Sequence, residues 1–171
     1  AYWESLFPGR LPARPVVPQP LTGDVIGVDG HEVRPVRVGQ SDTDPSSVVH
    51  VPDLDAVVGG DVAYNGIHMW LAQTDRAARA RWLEALDTVE ALRPATVVAG
   101  HRHPAAPDDD AAGVLAASRR YLIDFDDAVE AGADAAAVIR TMTAKHGDRG
   151  NPYTLFVSAT AQYPEPAGTG D

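Results

Sequence analysis

Two side chains of metal-binding type stand at equivalent places in this sequence. The apolar run Val57-Val58-Gly59-Gly60 leads into Asp61, and the run Ala95-Thr96-Val97-Val98-Ala99-Gly100 leads into His101. Each run reads as a buried strand that stops on glycine and then delivers a ligand. A carboxylate and an imidazole brought together at the C-terminal edge of a sheet could hold a divalent ion and use it to activate water for hydrolysis. Two ligands fall short of a complete site, so further donors are needed. Zinc is the default ion for His/Asp donors, bound as one or two ions, and iron or manganese would suit a more oxygen-rich set. The alternatives are a turn-forming Asp at 61 and a hydrogen-bonded strand-end histidine at 101. His103 competes with His101 as ligand.

Other residues near these runs could serve the same chemistry. Gln40 has an amide oxygen that can bind a hard cation, or it is a polar loop residue bonded to backbone. Tyr64 and Asn65 could donate to an oxyanion, or serve packing and turn formation. His68 faces the same mouth if the loop after Asp61 returns. Asp42 and Asp44 read as loop-forming residues, and His50 as structural. His31 and His146 read as exposed.

The elements that must position these groups follow from periodicity. Residues 32–38, 46–51, 54–59 and 95–99 are predicted strands, with Pro35 marking the first as an edge or bulged strand. A loop covers 61–74. Thr74 is the predicted N-cap of a helix over 75–92, whose Trp82, Leu83, Leu86, Val89 and Leu92 share one face. A second helix runs from Asp108-Asp109-Asp110 to about Glu130, with Val114, Leu115, Ser118, Tyr121, Leu122, Phe125 and Val129 on its stripe. A third spans about 134–145. The order is three strands, helix, strand, helix, helix, which is an α/β class. These helices can cover one face of the sheet, while 57–59 and 95–99 read as strands covered on both. Residues 1–24, with Pro8, Pro12, Pro15, Pro18 and Pro20, form an extended linker. Residues 25–163 carry the fold, and 164–171 are an expected disordered tail.

Bulk composition narrows the partners. At 171 residues and 44% apolar, the chain is about one domain. A net charge of -10 without a basic patch argues against nucleic acid. No apolar run reaches the roughly 18 residues needed to span a bilayer. The absence of cysteine excludes a disulfide framework and a thiolate metal site, and is compatible with a cytoplasmic location.

Four segments together carry a family resemblance: Gly39-Gln40-Ser41-Asp42-Thr43-Asp44, Val49-His50-Val51-Pro52, Val58 to His68, and Val98-Ala99-Gly100-His101. From about Leu21 to about Ile123 the chain resembles the second half of a metallo-β-lactamase-fold hydrolase. The resemblance implies a four-layer αββα sandwich of two similar halves, with the metal site at the edge between the sheets. It implies that Asp61 bridges two metals, that His101 is the last histidine ligand, and that His68 lies beside the metals or against the substrate. Gln40 stands where the family often has histidine. The family's His-x-His-x-Asp-His motif does not occur in the sequence, and the chain starts Ala1-Tyr2-Trp3. The expectation is therefore a C-terminal half whose sheet is covered by an N-terminal half or by a symmetry copy of the chain.

The implied function is metal-dependent hydrolysis of an ester, lactone or thioester of a small-molecule substrate, with little activity in this chain alone. The competing function is a non-catalytic binding protein of the same fold, whose metal site has decayed at Gln40.

Overall fold

A computed structural model describes residues 2–164 of the chain. The tail expected to be disordered lies, from Glu165 onward, outside the described residues.

The sheet has five strands in the order β1 (Ile26–Val28), β2 (His31–Gly39), β3 (Ser46–Val51), β4 (Ala56–Asn65) and β5 (Thr96–Arg102). The first four are antiparallel neighbours, and β5 runs parallel to β4. Helix α2 (Arg76–Ala91) makes the crossover between β4 and β5, as a parallel pair requires. Helices α3 (Ala111–Ala131), α4 (Ala135–His146) and α5 (Pro152–Ala161) follow, and α1 (Tyr2–Leu6) is one short turn in the proline-rich segment. No described helix is long and apolar enough to cross a membrane.

Several predicted boundaries move, each for a local reason. Strand β1 pairs with β2 across Asp29 and Gly30, both at positive φ, a two-residue turn that favours this residue pair. It reaches only to Val33, so Pro35 lies beyond its end, where the missing N–H costs no ladder bond. The bulge expected in this strand falls between Arg37 and Gly39. The N-cap of α2 is Asp75, not Thr74: Asp75 is extended and its carboxylate accepts from the Ala78 amide at 2.7 Å. Thr74 instead donates to the Leu71 carbonyl. Asp110 and Asp134 cap α3 and α4 in the same way as Asp75. Helix α5 is an addition to the predicted set, opened by Pro152 in its first turn, where a missing N–H is tolerated.

The helices line one face of the sheet. Val48, Val57 and Val97 point into the core with Trp82, Leu86 and Val89 of α2 and Leu122 and Phe125 of α3. The opposite face is apolar as well. Register places Pro35, Val49, Val58 and Val98 in one row across four strands. Val58 is 44% and Val98 38% exposed. Strands that read as covered on both faces are thus covered on one by this chain's own helices.

Candidate metal centre and cleft

Asp61 and His101 meet. The Asp61 Oδ1 lies 3.1 Å from the His101 Nε2, and both side chains are about half exposed. They meet through strand geometry that differs from the predicted one. Neither strand stops at its glycine: β4 runs on to Asn65 and β5 to Arg102, so 61–65 is strand rather than loop. The ladder instead breaks. Gly60 pairs with Ala99 and Tyr64 with His101, so four steps along β4 span two along β5. The extra residues bulge out, and Asp61 rides on that bulge. Gly60 sits at φ +51°, and Gly100 is the close approach: a Cβ there would stand 2.9 Å from the Gly60 carbonyl carbon.

Bulged backbone has lost ladder partners, and side chains from the helices replace them. The Trp82 indole N–H donates to the Val62 carbonyl at 2.8 Å. The Ser118 hydroxyl accepts from the Tyr64 amide and donates to its carbonyl, both at 3.1 Å. The core helices thereby fix the strand that carries Asp61. The Tyr64 ring, fully packed beneath, stacks on His101 with centroids 5.1 Å apart. Burial and the negative charges of Asp61 and Asp42 raise its pKa far above the usual range, so it stays a protonated phenol.

Tyr64, His68 and His101 line a cleft of about 620 Å³, together with Asp42, Ile67, Trp70, Tyr153, Asn151, Thr154 and Trp3. Gln40 is not part of that wall. Its amide N–H donates to the Ser41 carbonyl, and its amide oxygen accepts from the Arg81 guanidinium at 3.1 Å. The loop turns Asp42, not Gln40, to the cleft. The Asn65 side-chain amide is likewise committed, donating to the Pro107 carbonyl at 2.6 Å. His103 accepts from the Ala105 amide through Nδ1.

The sequence reading missed the wall behind His68. This histidine is 3% exposed, and its Nδ1 stands 3.0 Å from the Tyr121 hydroxyl. The Tyr121 ring packs against His146, and the Arg149 guanidinium lies over it at 4.8 Å. His146, expected in solvent, is buried and bonds Asp124 at 2.9 Å. The helical stripe gave Tyr121 a core position, but a hydroxyl on that stripe was the available sign of a polar contact.

Burial, with Arg149 and His146 adding to it, pushes His68 down to about 4. His146 is shifted down as well, chiefly by burial. Burial works against the Asp124 carboxylate, but bonds and charge from Lys145 and His146 outweigh it and hold its pKa low. The folded chain therefore resists protonating His68, whereas the unfolded chain takes the proton near pH 6.5. Stability is complete above about pH 6.5 and declines as pH falls toward 4, by about 3 kcal/mol for His68 alone. His146 acts in the same direction, and Asp124 adds a loss at lower pH. A urea midpoint that stays level from about pH 7 to about pH 4 would contradict this.

Among the described residues, no group of three or more His, Cys, Asp or Glu side chains converges to hold an ion. The Asp61–His101 pair itself fits. Two ligand atoms each about 2.1 Å from one zinc at a tetrahedral angle stand about 3.4 Å apart, close to the separation seen. The pair can supply two vertices of a coordination shell, and the rest must come from elsewhere.

Comparison with known proteins identifies the family and the fold. The family model described as the metallo-beta-lactamase superfamily matches residues 1–101. The match takes in the proline-rich segment read as a linker and ends on His101. No curated protein matches the chain. A metallo-beta-lactamase family protein from Thermus thermophilus superposes with a TM-score of 0.60 at 16% identity, over 86% of this chain and 48% of that one. A beta-lactamase domain protein from Burkholderia ambifaria does so with a TM-score of 0.60 at 19% identity, over 95% of this chain and 48% of that one. The chain spans about half the length of these structures and shares their fold.

Proposed function

This chain belongs to the metallo-beta-lactamase superfamily, and from that premise we propose that it is one half of a metal-dependent hydrolase for an ester, lactone or thioester, contributing part of the metal site. The superfamily is one of metal-dependent hydrolases. The observation that carries the reading is the Asp61–His101 pair, held 3.1 Å apart, of which His101 lines the cleft. A divalent metal, zinc by donor type, would supply Lewis acidity and an activated water there.

The remaining steps belong to the chain's own residues. Asp61 and His101 hold the cation and fix its place at the sheet edge. Tyr64 supports His101 from below and stays protonated. Ile67, Trp70 and Tyr153 offer apolar surface for the substrate's non-reacting part. The remaining ligands, in this reading, come from a second αβ half whose sheet covers Pro35, Val49, Val58 and Val98. The absence of cysteine is compatible with a cytoplasmic setting.

One observation favours a second reading, a metal-free binding protein: the amide of Gln40 is spent on Arg81 and Ser41, and Gln40 does not line the cleft. Elemental analysis separates the two. Protein equilibrated with zinc and freed of unbound ion is expected to retain one or two ions when the covering half is present, and to hydrolyse a chromogenic phenyl ester. Zinc-free protein with that half in place would overturn the hydrolase reading.

A further inference from the structure

We propose that His68 is a fixed, neutral hydrogen-bond donor to the substrate's carbonyl oxygen, and that Tyr121 is the positioning residue that sets its tautomer. The catalytic part rests on the hydrolase reading above; the tautomer does not.

His68 is buried but lines the cleft. One ring nitrogen, Nδ1, meets the Tyr121 hydroxyl at 3.0 Å. The other, Nε2, has no hydrogen-bond partner among the described residues, and is not among the atoms sealed from solvent without one. A polar atom left free on so buried a side chain is directed at what the cleft holds.

The ring is held in place from behind. The His68 amide donates to the Gly150 carbonyl, and the Gly150 amide donates to the Gly66 carbonyl. Arg149 donates to the Ile67 carbonyl and to the Ala117 carbonyl of α3. These bonds fasten the segment on both sides of His68.

Tyr121 decides which nitrogen carries the proton. Tyr121 is fully buried, and among the described residues the hydrogen-bond partner of its hydroxyl is His68 Nδ1. A buried hydroxyl must place its proton on an acceptor, so it donates to that nitrogen. The imidazole proton then resides on Nε2, facing the cleft. The charged and titratable groups around this pair are Arg149, His146 and Asp148. A neutral N–H in a dry wall needs no reorientation when negative charge develops on a carbonyl oxygen, and it does not compete for the proton. The cleft's Trp70 and Tyr153 suit an acyl group with an apolar or aromatic body.

Long-range proton–nitrogen NMR on histidine-labelled protein tests the tautomer. His68 is expected to show a protonated Nε2 and a bare Nδ1 from about pH 8 to about pH 5. Tyr121→Phe is expected to give a mixture of tautomers. A protonated Nδ1 in the unmutated protein, or an unchanged tautomer in Tyr121→Phe, would overturn the assignment. Phenylacetate, a carboxylate with an aromatic body, is expected to shift the Hε2 resonance, and no shift at saturation counts against the donor role. In the hydrolysing protein, His68→Leu should lower kcat about a hundredfold with little change in KM, and His68→Gln should recover part of it. An unchanged kcat in His68→Leu refutes the catalytic part. Should the unmutated protein hydrolyse no ester, the hydrolase reading fails, and the NMR and phenylacetate results still decide the tautomer and the donor.

Discussion

Asp61→Ala is expected to strip the protein of divalent metal and to lower hydrolysis by more than about a hundredfold, while leaving the fold intact. Removing even an outer partner of a metal ligand costs about 10–100-fold, and Asp61 is one of the two donors this chain offers. Its carboxylate is about half exposed and, among the described residues, ion-pairs with a similarly exposed His101. Exposed pairs contribute little to stability, so the change should stay within about 0.5 kcal/mol. Elemental analysis and a thermal melt on the same sample separate the two effects. Full metal content in Asp61→Ala would remove this residue from the ligand shell, and a lost melting transition would make it structural.

Trp82→Ala is expected to produce the largest loss of stability, about 3–5 kcal/mol. The indole is wholly buried between α2 and the sheet, and its ring lies 6.4 Å from that of Tyr64. Its N–H is also the partner of the Val62 carbonyl, so truncation orphans a buried acceptor on the bulge. Domains are stable by about 5–15 kcal/mol, so this change takes a large fraction. Urea unfolding followed by circular dichroism measures it. Trp82→Phe keeps most of the packing and loses only the bond, and should fall between the two. A loss below about 1 kcal/mol in Trp82→Ala would show that α2 is not what holds β4.

How much of this was readable in the sequence depends on whether the deciding contact was local. The stripes of α2 and α3 were legible because one turn of helix repeats the apolar residue on the same face. The meeting of Asp61 and His101 was foreshadowed by two apolar runs that reach glycine, although both strands continue past it to Asn65 and Arg102. The two-residue bulge was not, since it arises from Gly60 and Gly100 approaching across two strands. Gln40 reads as a better ligand candidate than Asp42 because it stands where the family often has histidine. What turns Gln40 away is Arg81, which sits on α2, far along the chain. His146 reads as a solvated helix end until Asp124 and Tyr121, both on another helix, enclose it. Strand β1 is three residues long, too short for alternation to register, although Asp29-Gly30 announced its turn. Helix α5 carries β-branched and aromatic residues that blur its periodicity, and only Pro152 signalled it.

The strand order has a consequence for how the chain reaches its fold. Each strand lies beside its neighbour in sequence, and the one parallel pair is closed by a single helix. Contacts of such short sequence separation form fast, because little loop entropy is spent before they are made. The sheet and its helices are thus expected to assemble before any more distant segment is recruited. The apolar row of Pro35, Val49, Val58 and Val98 would then exist as a surface during folding, ready to template a second layer and equally ready to capture a wrong one. Refolding yield should accordingly fall with protein concentration, and rise when whatever covers that row is supplied from the start.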